Sequence, residues 1–321
     1  MKVLKQKKRA ALTVIAAILG AALVIAVIAG CSAGHSSNRA GETDSEPEDF
    51  TGIPEIPVAS APGTGLAENR KAVIDFSNSR DGYVMAKFRE ETRRQVRVVI
   101  TVPDGTQYIY RLTPGGDFEV LPLSGGNGEY KIEVFEEVED QMYALAITST
   151  INVTLDDEFA PFLRPNQYVN YNRSSAVVRK AAELTEGIDD PMEKIAAVYN
   201  YVVENIVYDS QLAWTVESGY IPDVDAVLSS GKGICFDYAA IMTAMLRSQS
   251  IPTRMVLGYT GNDYHAWISV YAGEAGWVDN LIYFDGIDWK IMDPTFAAGA
   301  HSDEIMEYIE NANNYNALYQ Y

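Results

Sequence analysis

The chain has 321 residues, of which 47% are hydrophobic and 11% aromatic, so it can bury a sizeable core, and its length favours two folded domains. The 44 acidic residues outnumber the 25 basic ones; the first 30 residues hold five cations and no acid, which leaves 20 basic against 44 acidic residues and a net charge of −24 for the remainder. A polypeptide this acidic repels phosphate backbones, which excludes nucleic acid as a partner. Neutral or cationic partners are favoured instead. With two cysteines and three histidines, a disulfide scaffold and a cysteine-rich zinc site are also excluded, and we expect neither a cofactor nor a metal.

The amino terminus has the layout of an export signal. Residues 1–9 are basic, and an apolar run of 21 residues follows from Ala10 to Gly30, which is long for a secretory signal peptide and long enough to span a bilayer. Small residues then precede Cys31, which resembles the lipobox of bacterial lipoproteins, where such a cysteine is cleaved at its amino side and lipidated. We expect residues 1–30 to be a lipoprotein signal peptide and Cys31 to anchor an outward-facing protein to the bacterial cell membrane. The alternative is an uncleaved signal anchor, which would also place the rest of the chain outside the membrane.

Residues 31–69 are predicted to form a disordered tether. They include five acids between Glu42 and Asp49 and four prolines, and they show no apolar periodicity. His35 lies in this segment, so we do not expect it to be catalytic.

Residues 70–156 are predicted to form a small β-sandwich. Short runs of β-forming residues alternate with turn residues, and two of the runs show a clear period of two. The predicted strands are 72–76, 82–88, 95–102, 107–112, 117–123, 129–136 and 142–154. No cysteine or histidine lies in this region, so its expected role is that of a spacer or a binding module.

Residues 157–321 are predicted to form an α+β domain, because helices precede strands. One helix has a well-marked start, with Asp190 as N-cap, Pro191 at the first helical position and Glu193 three residues after the cap. A later helix over 235–249 is followed by predicted strands near 253–260, 264–272, 279–284 and 289–292.

Cys235 opens the helix over 235–249, directly after a loop that contains Gly231 and Gly233. With Ala239 and Met242 it lies on the face predicted to be buried. A thiol in the first helical turn faces free backbone N–H groups and the positive end of the helix dipole, which favours the thiolate and could steady an oxyanion. An inert cysteine at the end of a core face fits the same pattern.

His265 and Asp293 are the candidate partners of this thiol. A strand over 264–272 places His265 on one face with Trp267, Ser269 and Tyr271, which suits a base that lines a cleft, although a packed structural histidine would give the same pattern. Asp293 is held extended by the proline that follows it, and it could accept the distal ring N–H of a histidine. In isolation an Asp-Pro turn explains it equally well.

Taken together, these motifs resemble the transglutaminase-like cysteine-enzyme superfamily over about residues 190–296. The four matching motifs, in chain order, are Gly233-x-Cys235-x-x-Tyr238-Ala239, Leu246-Arg247-x-x-x-Ile251-Pro252-x-Arg254-x-Val256-x-Gly258-Tyr259, His265-Ala266-Trp267 and Trp289-x-x-x-Asp293-Pro294-Thr295. The resemblance implies a papain-like α+β core in which Cys235 is the nucleophile, His265 the base and then the acid, and Asp293 the residue that orients His265.

Two features of the site stay open at this level. An insertion over 272–288 holds three further acids, and a different strand register would let one of them replace Asp293; they are Asp279, Asp285 and Asp288. The side-chain donor to an oxyanion is unmarked, with Tyr208, Gln211 and Trp214 as candidates. His301 is expected at the surface near a helix start.

The resemblance implies attack of the thiolate on an amide carbonyl and an acyl-enzyme intermediate. Water as acceptor makes the protein a cysteine peptidase or amidase, and an amine makes it a transglutaminase. Export favours hydrolysis of peptide or protein substrates, including cell-wall peptides. The alternative from another class is a non-catalytic surface lipoprotein that binds peptide or glycan, which would have no need for a cysteine, a histidine and an aspartate together. Substrate identity, calcium dependence and oligomeric state stay open.

Overall fold

A computed structural model describes residues 53–139, 141–273, 276–278, 282–284, 289–291 and 315–321. Several predicted features lie outside these residues: the signal segment, Cys31, His35, Asp293, His301 and the three acids of the insertion. Among the described residues, no helix combines the length and the apolar character needed to cross a membrane.

The amino-terminal part consists of two four-stranded antiparallel sheets, ordered β1-β2-β3-β6 and β5-β4-β7-β8. The strands are β1 (Leu66–Glu68), β2 (Ala72–Asp75), β3 (Tyr83–Phe88), β4 (Val96–Thr101), β5 (Gln107–Leu112), β6 (Glu119–Pro122), β7 (Gly128–Glu139) and β8 (Met142–Val153). In β7 the side chains of Tyr130, Ile132 and Val134 are fully buried. The alternate residues Glu129 and Lys131 face solvent. All seven predicted runs contain strands, and each of these strands contributes buried side chains to a shared core.

The predicted tether is too long at its carboxyl end. Residues 66–68 form the edge strand β1, which pairs with β2, and the side chain of Ile56 is only 7% exposed. The backbone N–H of Gly63 donates to Asp75 Oδ2 at 2.8 Å, and that of Gly65 donates to Ser77 Oγ at 2.9 Å. Because these N–H groups are satisfied by side chains rather than by a strand ladder, the segment carries no periodic signal in the sequence.

The carboxyl-terminal part begins with helices. They are α1 (Ala176–Leu184), α2 (Pro191–Asn205), α3 (Ser210–Thr215), α4 (Val224–Ser230) and α5 (Cys235–Ser248). The predicted start of α2 is confirmed, since Asp190 Oδ1 accepts hydrogen bonds from the N–H groups of Met192 at 2.8 Å and Glu193 at 3.0 Å. Gly231 ends α4 in the left-handed conformation, at φ 62°.

The central helix of this part is α5, which packs against α1, α2 and α4 and against the two inner strands of a four-stranded sheet. That sheet has the order β13-β12-β11-β16 and consists of β11 (Thr253–Thr260), β12 (Asp263–Tyr271), β13 (Trp277–Val278) and β16 (Tyr315–Gln320). Two short pairs complete the described strands: β9 (Val207–Tyr208) with β10 (Lys232–Gly233), and β14 (Ile282–Phe284) with β15 (Trp289–Ile291). The predicted α+β class is confirmed. Every residue of α5 from Asp237 to Ser248 is buried, rather than one stripe, because other elements cover the helix on all sides.

Arg247 joins the end of α5 to three other segments. Its guanidinium is 2% exposed and donates to the carbonyl oxygens of Thr253 at 2.7 and 2.9 Å, Arg164 at 2.8 Å and Tyr321 at 2.6 Å. Burial lowers the pKa of Arg247 to about 10. The residue therefore fixes β11 and the segment after β16 to the helix that begins with Cys235.

Replacing Arg247 by methionine should destabilise the fold by about 3 kcal/mol or more, because the carbonyl groups of Thr253, Arg164 and Tyr321 each lose a charged donor. Urea unfolding followed by circular dichroism measures this loss. Arg93→Met is the matched control at an exposed arginine, for which we expect a change within about 0.5 kcal/mol. Equal effects of the two substitutions would contradict the structural role of Arg247.

Candidate active site

A cavity of about 570 Å³ lies at the amino end of α5, and both Cys235 and His265 line it. We call it the thiol cavity. Cys235 is a free, half-buried cysteine at the first position of α5, and His265 is 8% exposed on β12. The tertiary structure thus brings together two of the three predicted site residues, while Asp293 lies outside the described residues.

The start of α5 is held by Asp237, whose side chain is fully buried. Its Oδ2 accepts the backbone N–H of Ile234 at 2.8 Å, and its Oδ1 accepts the hydroxyl of Tyr220 at 2.8 Å. Because Ile234 is the N-cap and has no side-chain acceptor, Asp237 supplies the half of a capping box that reaches back from the third helical position. Cys235 lies between the two residues joined by this hydrogen bond.

Gly233 makes room for that carboxylate. A β-carbon at position 233 would lie 2.6 Å from the β-carbon of Asp237, closer than side chains pack. The spacing Gly233-x-Cys235-x-Asp237 is therefore a steric requirement of this helix start. Asp237 was not among the predicted site residues, although an acid at the third helical position is a recognisable capping signal.

Burial is the main cause that raises the pKa of Asp237 above its ordinary value; the hydrogen bonds from Ile234 and Tyr220 lower it, and the nearby Asp209 raises it further. The pKa of Tyr220 is raised well above its ordinary value, first by burial and then by its hydrogen bond to Asp237. At neutral pH Tyr220 is therefore a neutral phenol that donates to Asp237.

His265 lies on β12 directly opposite Gly258 of β11. A β-carbon at 258 would lie 2.1 Å from the carbonyl oxygen of Asn316 and 2.8 Å from the ring of Trp267, so only glycine allows β16 and this ring to approach. The Trp267 ring stacks beside His265 at 6.4 Å and packs against Tyr315 at 5.2 Å. Trp267 is 1% exposed and is not among the residues that line the thiol cavity, so of the four residues on the predicted strand face only His265 reaches the cavity.

Aromatic side chains form much of the cavity wall. Phe236, next to Cys235, lies between Tyr168 at 5.8 Å and Tyr220 at 6.4 Å. Burial raises the pKa of Tyr168 to about 12, so its phenol is neutral. Burial also raises the pKa of Tyr264, and neighbouring tyrosines and the Cys235 thiol add to the effect. The wall suits an apolar or aromatic portion of a ligand.

The β-sandwich also contributes to the thiol cavity. Ile109 of β5 lines it, and the carbonyl oxygen of Ile109 accepts the hydroxyl of Tyr168 at 2.9 Å. Arg111, two residues further along β5, donates from Nη2 to the carbonyl oxygen of Ser218 at 3.0 Å and so holds the loop before α4. The region predicted as a spacer or binding module is therefore part of the wall around Cys235.

Of the three candidate oxyanion donors, Tyr208 lines the thiol cavity. Gln211 is exposed, Trp214 is 91% exposed, and neither is among the lining residues. Within the described part of the chain, no group of three or more histidine, cysteine, aspartate or glutamate residues is arranged to hold a metal ion.

Comparison with known proteins shows a similarity between the carboxyl-terminal part and one superfamily. Residues 178–294 match the model of the transglutaminase-like superfamily, a range that contains Cys235, His265 and Asp293. The YebA protein of Bacillus subtilis, itself uncharacterized, is 31% identical over 118 residues, which are 30% of this chain and 16% of YebA. The uncharacterized protein ML0607 of Mycobacterium leprae is 26% identical over 241 residues, which are 67% of this chain and 78% of that protein.

Among solved structures, one named a putative cysteine protease from Cytophaga hutchinsonii shares 17% sequence identity. The match covers 74% of this chain and 76% of that chain, with a TM-score of 0.38, which is a remote likeness.

We expect the stability difference between the wild type and Asp237→Asn to depend on pH. Because the folded-state pKa of Asp237 is raised, its contribution to stability is fully present below the unfolded value of 3.8 and is lost as the pH rises through the folded value. The free energy of unfolding of the wild type relative to Asp237→Asn should therefore increase as the pH falls. Urea unfolding of both proteins between pH 3 and 7 tests this, and a difference that grows with rising pH would contradict it.

Proposed function

We propose that the protein is a cysteine enzyme that cleaves or exchanges peptide amide bonds, with hydrolysis as its main reaction, because residues 178–294 match the model of the transglutaminase-like superfamily. The observation that carries this proposal is the shared cavity: Cys235 at the first position of α5 and His265 on β12 line the same space. A nucleophile and a base that open into one cavity are what acyl transfer through a thioester requires.

In the proposed reaction His265 takes the proton of the Cys235 thiol, and the thiolate attacks the carbonyl carbon of the substrate amide. The carbon–sulfur bond forms, and the negative charge moves to the carbonyl oxygen, where free N–H groups in the first turn of α5 can donate to it. The carbon–nitrogen bond then breaks, and His265 gives its proton to the leaving amine. Asp293 is assigned the role of orienting His265 because it matches the family motif.

The acyl-enzyme is then released by an acceptor. Water attacks the thioester carbonyl carbon while His265 takes the water proton. The carbon–sulfur bond then breaks, the carboxylic acid product leaves, and His265 returns the proton to the sulfur of Cys235. A primary amine in place of water would give a new amide, which is the transglutaminase reaction. We favour water because an exported enzyme works in a medium that supplies it in large excess.

We further propose that the protein works outside the cell, attached to the bacterial membrane. The basic residues 1–9, the apolar run that follows and the small residues before Cys31 support a lipid anchor at this cysteine. The residues between Cys31 and Ile53 would then hold the folded part away from the bilayer. Extracellular and cell-wall peptides are the substrates within reach of such an enzyme.

Replacing Cys235 by alanine should lower turnover by about a thousandfold or more, since the acyl-enzyme can no longer form. Cleavage of a peptide library, followed by mass spectrometry, measures this loss, and circular dichroism checks the fold. Cys31→Ala is the matched control, because it removes the other cysteine of the chain and should leave turnover unchanged. Undiminished turnover by Cys235→Ala would exclude the proposed nucleophile.

The acceptor is identified by running the same library with and without a primary amine. A hydrolase should give the same carboxylic acid products in both cases. Products that carry the added amine would identify a transglutaminase instead. Peptides that bind without being changed would identify the non-catalytic binding protein that the sequence leaves as an alternative.

A further inference from the structure

A second cavity, of about 690 Å³, adjoins the thiol cavity. We call it the arginine cavity, after Arg97 and Arg111, which both line it. The two cavities have five lining residues in common, Ile109, Tyr168, Glu217, Ser218 and Gly219. A peptide bound at Cys235 could therefore extend across these shared residues into the second cavity.

Arg97 and Arg111 are a like-charge pair built into the sheet. Arg97 of β4 and Arg111 of β5 are direct cross-strand partners, an arrangement that costs stability unless something compensates the charge. None of the ion pairs between described residues includes either arginine. Such a pair on a protein with a large negative net charge is a local concentration of positive charge.

The guanidinium of Arg97 is held in a fixed plane by aromatic rings. It lies 3.6 Å above the ring centroid of Tyr143 and 5.9 Å from that of Phe135, and its buried Nε has no hydrogen-bond partner among the described residues. Stacking occupies the faces of a guanidinium and leaves the N–H groups on its edge for an acceptor. An oriented, uncompensated arginine is suited to bind a carboxylate in a bidentate way.

Arg111 is fixed as closely as Arg97. Arg111 is bonded to Ser218, and the backbone of Gly219 packs directly on its guanidinium. A β-carbon at position 219 would lie 2.0 Å from Arg111 Cζ, and Gly219 has a positive φ of 87°. Glu217 lines the same cavity but is exposed, and Glu137 near its edge accepts the N–H groups of Gln95 and Gln141. Neither acid neutralises the pair by a salt bridge within the described residues.

We propose that the arginine cavity is a carboxylate subsite, which takes an acidic side chain or the terminal carboxylate of the peptide whose amide bond reaches Cys235. This inference rests on the proposed function, because it assigns the carboxylate to the substrate of the thiol cavity. It names acidic peptides as the substrate class, although the overall charge of the exported part favours neutral or cationic partners. The local field of two adjacent arginines outweighs distant acids that are screened beyond a Debye length of about 10 Å.

The test compares matched peptides that are turned over by the full chain. Each peptide is made with aspartate or asparagine at every position in turn, and with a free or an amidated carboxyl terminus, so that the two sources of a carboxylate are distinguished. We expect kcat/KM to be about tenfold or more higher for one acidic form than for its uncharged analogue, as for a charge-assisted hydrogen bond. In Arg97→Gln this ratio should fall close to one. Arg93→Gln, with the same loss of charge at an exposed site outside the cavity, should keep the ratio.

Binding is measured separately, by calorimetry with the Cys235→Ala chain and the same peptides. Turnover without any preference for a carboxylate would overturn the subsite and leave the enzyme intact. Binding that depends on Arg97 and on a carboxylate, without turnover in the wild type, would support the subsite and refute the enzyme. If Arg97→Gln does not fold, Arg97→Lys is the substitute, because lysine keeps the charge and lacks the planar fork. We expect the ratio of kcat/KM between acidic and uncharged peptides to fall in Arg97→Lys, and also in the wild type when salt is added. A ratio that stays unchanged in both experiments would overturn the proposal.

Discussion

The buried carboxylate of Asp237 is the constraint on which the candidate site depends. It holds the backbone N–H of Ile234 and the hydroxyl of Tyr220, so one side chain fixes both the first turn of α5 and the loop that faces it. The thiol of Cys235 is positioned by that turn, and Gly233 is required because any larger residue would displace the carboxylate. The burial of the Asp237 carboxylate costs free energy, which its two hydrogen bonds offset in part, as is common where a fold must hold a reactive group in one geometry.

The cavity is assembled from parts of the chain that are far apart in sequence. Cys235 comes from a helix, His265 from an inner strand of a four-stranded sheet, and Ile109 from the β-sandwich. Tyrosines join these parts: the ring of Tyr108 lies 5.4 Å from those of both Tyr319 and Tyr321. Tyrosine suits such a junction, since it buries a large apolar ring and keeps a hydroxyl for a directed hydrogen bond, as in the bond from the N–H of Gln320 to the hydroxyl of Tyr108. The sandwich is thus joined to the site and shapes the space next to it.

Local signals predicted most of the secondary structure. Runs of β-forming residues between turn residues predicted seven of the eight sandwich strands, and the Asp190 cap predicted the start of α2, because strand-forming composition, turns and capping of free N–H groups are all recognisable in neighbouring residues. The edge strand β1 was missed because its flanking N–H groups are bound by the side chains of Asp75 and Ser77 rather than by a regular ladder. The all-round burial of α5 was also missed, since it depends on which elements surround the helix.

The sequence alone was enough to single out the candidate residues: a cysteine at a predicted helix start, a histidine on a predicted strand and an aspartate before a proline, in an order that resembles transglutaminase-like proteins. These are properties of residue type and short spacing, so they need no knowledge of the fold. It takes the tertiary structure to show that Cys235 and His265 open into one cavity, that Trp267 stacks beside His265, and that Arg97 and Arg111 are neighbours next to that cavity. The reason is physical: strand register and packing between distant segments decide which side chains meet, and no local pattern encodes them.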